Sequence, residues 1–183
     1  PTRRSSDLKK DTDVFTKSMF YVPLQPNWNN YVRVWTEIDL PLYYLNTIKV
    51  TVLATALQMS VSILAAYAFA KMEVPFKNFF FTLFIATMMI PWTAMMIPQF
   101  IEVSSMGLYN THLALILLQG FSAFGIFLLR QFFTGIPNEL SEAAVLDGCG
   151  HLRILCQIIL PLSKSALSAL LIFTFIKEWN DYL

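Results

Sequence analysis

The stretch LYYLNTIKVTVLATALQMSVSILAAYAFA, residues 42–70, decides the fold class. An α-helix rises about 1.5 Å per residue, and about 20 apolar residues cross the hydrocarbon core of a bilayer. This run is long enough to span with overhang, and Lys49 is its one charged residue. Lys49 lies near one end, placed either to snorkel to the interface or to touch a substrate. Thr47, Thr51 and Thr55 recur every four residues and so share one helix face. Small hydroxyl residues on one face suit helix–helix packing in lipid.

Three further apolar runs follow, at 79–97, 113–133 and 163–179. In the first of these, Pro91 is expected to kink or end the helix, because proline lacks an N–H and clashes with the preceding turn. Pro98 repeats the signal. Irregular backbone at membrane depth persists where it is buried in protein or lines a cavity. Residues 90–99 therefore either line a pathway or form a lipid-facing kink. Residues 98–112, with Gly107 and Asn110, are expected to be a polar loop. A short helix is expected at 30–37, in a segment outside the bilayer or along its surface.

Composition agrees with a lipid-solvated chain. Of 183 residues, 56% are hydrophobic and 14% charged, against about 25% charged in ordinary soluble domains. A net charge of +1 makes no electrostatic case for nucleic acid. Two cysteines (Cys149, Cys156) and two histidines (His112, His151) supply neither a disulfide framework nor an evident metal cluster. No P-loop, H-E-x-x-H or G-x-S-x-G pattern is present. The expected fold is an all-α polytopic transmembrane helical bundle with four spans. Three domain assignments follow: residues 1–8, PTRRSSDL, read as sequencing-adapter read-through; 9–41 as an extracytoplasmic segment; and 42–183 as a transmembrane domain truncated at both ends.

Orientation follows from basic residues. Lys71, Lys77, Arg130, Arg153 and Lys164 sit in or beside the connections on one side, and the loop 98–112 carries no Lys or Arg. Basic residues stay cytoplasmic, which puts the long connection before the last apolar run in the cytoplasm and the loop 98–112 outside. That connection contains GIPNELSEAAVLDG at 135–148. Pro137 suits a first turn, Glu139 and Glu142 favour the positive end of a helix, and Gly148 is a C-terminal stop. A short helix is expected over 137–147 and a second over 151–159.

Glu142-Ala143-Ala144, three residues, Gly148, nine residues, then Ile158-x-Leu160-Pro161 resembles the EAA loop of ABC importer permeases, and in particular the maltose-type carbohydrate-uptake family. Further echoes are Leu45-Asn46-Thr47, Ala65-Ala66-Tyr67-Ala68, Met89-Ile90-Pro91, the run from Phe127 to Phe133, and Trp179-Asn180-Asp181. Two positions depart from the pattern: Cys156 replaces a common bulky aromatic, and Lys177-Glu178 is more charged than usual.

The resemblance implies a non-enzymatic permease subunit in a bacterial-type cytoplasmic (inner) membrane. It implies that Glu142, Ala143, Ala144, Asp147, Gly148, Ile158, Leu160 and Pro161 form an ATPase-docking loop. It further implies cytoplasmic ATPase subunits that hydrolyse ATP, a second permease subunit, an extracytoplasmic solute-binding protein, and sugars or sugar-like polyols as substrate. This chain would itself bind no cofactor or metal. Gln58, Pro91, Gln99 and Gln119 are the candidate pathway residues, although the three glutamines could equally stitch helices together. The competing class is a secondary carrier or a membrane-enzyme fragment, which has no reason to hold the Glu-Ala-Ala…Gly…Ile-x-Leu-Pro spacing.

Overall fold

The computed structural model describes residues 27–37 and 39–181. The adapter reading of residues 1–8 and most of the segment before residue 41 lie outside the described residues. The described elements are α1 (Asn29–Glu37), α2 (Leu40–Lys71), α3 (Lys77–Thr87), α4 (Trp92–Ser105), α5 (His112–Gln119) and α6 (Ala123–Thr134). After them come α7 (Asn138–Leu146), α8 (His151–Leu162) and α9 (Lys164–Trp179). No strand occurs among the described residues.

The described residues fall into two units, one ending at Thr47 and the other beginning at Ile48. In the first, Trp28 stands just before α1 and Tyr31 and Trp35 on it, with Trp28 stacked on Tyr31 at 6.2 Å and Trp35 on Tyr44 at 6.2 Å. Arg33 pairs with Glu37 one turn on, at 3.0 Å.

In the second unit, α2 carries its polarity on the inside. Thr51, Ala54, Thr55, Gln58, Ser62 and Ala66 are buried at i, i+3 and i+4 spacing, whereas Val52, Leu53 and Leu64 are exposed. A helix of a soluble protein arranges these the other way round. In lipid there is no hydrophobic drive between helices, so close packing and interhelical hydrogen bonds hold them together. Gly125 of α6 makes that approach possible: a Cβ there would lie 2.7 Å from the Ser62 Oγ and 3.4 Å from Leu170 of α9. Gln58 Nε2 donates to Thr174 Oγ1 of α9 at 3.1 Å, with both residues buried. Ala66, Leu129, Phe133, Ile159, Ala166 and Leu170 extend this α2–α6–α9 contact into one apolar cluster.

Among the described residues, α2 alone is long and apolar enough to cross a membrane as one straight helix, and the count rises to four if each bent pair of helices forms one span. The expected second span is broken, with α3 and α4 meeting at 100° around Pro91. Pro91 holds φ −59° and ψ 133° as the residue before α4, so it ends one helix and starts the next. The expectation of a loop from residue 98 is corrected, because α4 continues through Pro98 to Ser105. The expected third span breaks by 41° between α5 and α6. Gly120 closes α5, and Ser122 caps α6 by accepting from the Gly125 N–H at 3.1 Å. The second loop helix is longer than expected. It runs through a π turn, Leu155–Ile159, to Leu162, then meets α9 at 84°. The π turn sits just ahead of Pro161, which lacks the N–H for the α-helical bond to residue 157.

Candidate functional site

The loop between α6 and α9 is built around the end of α7. Its last carbonyls are closed by two reverse bonds: the Gly148 N–H donates to the Val145 carbonyl at 2.9 Å, and the Cys149 N–H to the Ala144 carbonyl at 2.9 Å. This is the Schellman arrangement, which needs a left-handed residue after the cap. Gly148 supplies it with φ +79°. A side chain there would meet no atom within 4 Å, so the demand for glycine comes from the backbone angle alone. Pro137 caps the start of α7 from outside the helix, one position earlier than expected.

The motif residues divide by face. Ala144 is buried against the cluster, and Cys149 packs beside it. Glu142, Ala143, Asp147 and Gly148 are exposed. Ile158 and Leu160 are half-buried and pack on the same cluster, while Pro161 is exposed at the turn into α9. One face of the loop is thus bound to the helices and the other is left open.

Polar contacts fasten the loop to α2. Lys71 Nζ, at the end of α2, donates to the Ile136 carbonyl and to Asn138 Oδ1, the latter at 2.7 Å. Tyr67 Oη and His151 Nδ1 lie 3.3 Å apart, joining α2 to α8. Arg130 of α6 donates from Nε to the Phe69 carbonyl at 3.4 Å and sits 3.8 Å above the Phe81 ring, so α2, α3 and α6 meet at one guanidinium. A cleft of about 520 Å³ opens between α7 and the end of α2, lined by Lys71, Glu73, Lys77, Asn138, Glu142 and His151 among others. The sequence marks His151 as the start of the second loop helix and supplies no metal cluster around it, and it gives Tyr67 no role in the loop. Their separation of 84 residues leaves no spacing signal to read.

The candidate pathway residues part company. Gln58 is buried and tied to Thr174. Gln119, at the end of α5, accepts from Lys177 Nζ at 2.8 Å and donates to Asp181. Gln99 is half-buried on α4 and lines a cavity of about 500 Å³ with residues of α5. Pro91 marks the α3–α4 break. Among the described residues, no group of three or more His, Cys, Asp or Glu is placed to hold a metal ion.

Residues 20–183 match the family described as binding-protein-dependent transport system inner membrane component. The chain belongs to that family. Its similarity to individual permeases runs nearly end to end. It is 36% identical, over 94% of its length, to the sn-glycerol-3-phosphate transport system permease protein UgpE of Yersinia pestis. It is 35% identical over 85% to the lactose transport system permease protein LacG of Rhizobium radiobacter. It is 32% identical over 95% to the diacetylchitobiose uptake system permease protein NgcG of Streptomyces coelicolor. It spans 64%, 57% and 58% of those three proteins, respectively. A crystal structure of a bacterial ABC transporter involved in the import of the acidic polysaccharide alginate contains a similar chain. The TM-score is 0.86 at 28% identity, covering 98% of this chain and 64% of that one. The permease family is a membrane transport component and not an enzyme family, which settles the choice against a membrane-enzyme fragment.

Proposed function

We propose that the chain is the permease subunit of an ATP-driven, binding-protein-dependent importer of sugars or sugar-like polyols. In this reading, α7 is the element that an ATPase subunit grips. The observation that carries it is the division of the loop: Ala144 is locked into the helical cluster while Glu142 and Ala143 face out on the same short helix. A force applied to the exposed face is passed on, because the buried face is packed against α2, α6 and α9. Packed interfaces shift between discrete arrangements instead of deforming smoothly. Motion of α7 is therefore converted into movement of the spans, with Lys71, Tyr67 and His151 holding the loop to α2. ATP is bound and hydrolysed by the partner, and this chain holds no cofactor.

The partners that fit are two cytoplasmic ATPase copies, a second permease subunit and an extracytoplasmic binding protein. The loop faces the cytoplasm of a bacterial-type inner membrane, as the distribution of basic residues implies. Sugars and polyols fit because similar permeases are named for glycerol phosphate, lactose and diacetylchitobiose. Within the chain, Pro91, Gln99 and Gln119 stand near the transport path, and Gln58 serves as a helix tie.

The test is Gly148→Leu in the full-length protein, assembled with its partners in lipid. Forcing a branched side chain into the left-handed region costs about 1–2 kcal/mol locally, enough to unseat the end of α7 and leave the spans folded. Transport is expected to fall at least tenfold, with ATP hydrolysis no longer responding to the loaded binding protein. Unchanged uptake in a Gly148→Leu, Glu142→Lys double variant would rule out α7 as the docking element.

A further inference from the structure

A second cavity lies away from the coupling loop, between α4 and the start of α5. It measures about 500 Å³, within the range of about 300–1,000 Å³ common for small-molecule sites. Trp92, Met96, Gln99 and Val103 of α4 form one wall at helical spacing, and Tyr109, Asn110 and His112 contribute to the other. A smaller cavity of about 50 Å³ shares Trp92, Gln99, Leu115 and Leu118 with it and continues to Gln119 and Asp181. The two form one cleft, with flat aromatic faces at the wide end and a polar cluster at the narrow end.

The chemistry of that cleft is specific. The wide end carries no carboxylate, lysine or arginine. Its polar groups are the Trp92 indole N–H, the amides of Gln99 and Asn110, the Tyr109 and Thr111 hydroxyls and the His112 imidazole, and of these only the Thr111 hydroxyl has a hydrogen-bond partner among the described residues. Gln99 and His112 are half-buried, while Trp92 and Asn110 are exposed at the mouth; half-buried donors and acceptors without partners, set beside aromatic rings, suit a polar ligand. The rings are ordered: Phe100 and Tyr109 pack edge to face at 5.7 Å. So is the turn. Thr111 Oγ1 donates to the Leu108 carbonyl at 2.7 Å and accepts from the Ala114 N–H at 3.2 Å, holding Asn110 at φ +57°. Gln119 and Asp181 line the narrow end, and behind them Lys177 Nζ bonds Gln119 and Glu178, which leaves one of its three N–H groups for a guest.

We propose that this cleft is a saccharide subsite of the transport path. A neutral pyranose ring lays its C–H face on Trp92 and Tyr109 while its hydroxyls meet Gln99, Asn110 and His112. Lys177 and Gln119 stand where the next hydroxyl or an acidic substituent would reach. The proposal rests on the importer reading, from which it takes the class of solute, and it adds the place and the contacts.

Equilibrium binding of radiolabelled lactose and of sn-glycerol 3-phosphate to the full-length permease, assembled with its partners in lipid nanodiscs and without the binding protein, tests it. Lactose is expected to bind, with a tenfold or greater loss in Trp92→Ala and in Gln99→Ala and near-normal binding in Trp92→Phe. Lys177→Met is expected to weaken sn-glycerol 3-phosphate more than lactose. Copurification of the ATPase subunits at wild-type stoichiometry, with an unshifted size-exclusion profile, reports that each variant complex is assembled. The subsite is wrong if neither probe binds at millimolar concentration, or if both bind equally well to wild type, Trp92→Ala and Gln99→Ala. The importer reading fails differently: no ATPase subunit copurifies with the wild-type permease, whatever the sugar does. Gly148→Leu separates the two, because it should abolish coupling and leave lactose binding intact.

Discussion

The α2–α6–α9 half of the second unit and its α3–α4 half are made from similar apolar sequence, yet they behave oppositely. Five residues of 51–62 in α2, four in α6 and four in α9 are buried within the chain, whereas α3 and α4 bury none. Phe79, Met89, Ile97 and Ile101 are among the large side chains of α3 and α4, and of the turn between them, left uncovered. The difference is one of residue size. Gly125, Ser62, Ala66 and Ala166 let backbones approach in the first half, and the Gln58 amide bonds Thr174 across the gap. In the second half, α3 touches its neighbours through ring edges and faces, Phe81 on Phe69, Phe127 and the Arg130 guanidinium, yet bulky Phe and Met side chains leave a broad apolar surface uncovered. Apolar character thus fixes the solvent of a membrane helix, while small residues fix its neighbours.

The contrast can be broken most sharply at Gly125. Gly125→Leu forces a side chain into the Ser62 Oγ and Leu170, and overpacking of this kind costs about 1–3 kcal/mol. A clear drop in the midpoint of detergent unfolding is expected. An unshifted midpoint would mean that α2 and α6 are not in contact. A smaller effect is expected at Gln58. A double-mutant cycle of Gln58→Leu with Thr174→Val should give a coupling of about 0.6 kcal/mol, typical of hydrogen bonds between membrane helices. Zero coupling would remove the α2–α9 tie. The smallest effect belongs to the other half. Ile97→Ala, at a side chain 72% exposed, should move the unfolding free energy of the subunit by no more than about 0.5 kcal/mol. A loss of 2 kcal/mol or more there would show that this face of α4 is buried as the packed faces of α2, α6 and α9 are, and that the two halves are alike.

Legibility followed the range of the forces involved. The α3–α4 break was readable because proline acts on the residues beside it. The α5–α6 break was equally local, since Ser122 stands three residues before Gly125 as a helix cap and Gly120 precedes it. It was passed over because an unbroken apolar run outweighed a cap signal. The extension of α4 to Ser105 was missed for a related reason: Pro98 and the polar residues after it read as loop, but a helix already bent off its predecessor at Pro91 carries Pro98 within its second turn.

By itself the sequence determined that this is an all-helical membrane chain, that a short helix ending at Gly148 interrupts its apolar runs, and that the Glu-Ala-Ala…Gly…Ile-x-Leu-Pro spacing belongs to a permease. These rest on hydropathy, backbone angles and caps, which act within a few residues. Only the tertiary structure decided that Gln58 serves Thr174, 116 residues away, that Lys71 holds the first turn of α7, that His151 meets Tyr67, and that Gln99 borders a cleft. A side-chain amide or ammonium has the same bonding capacity in every context. Which partner satisfies it depends on which helices are brought together, and no local spacing records that.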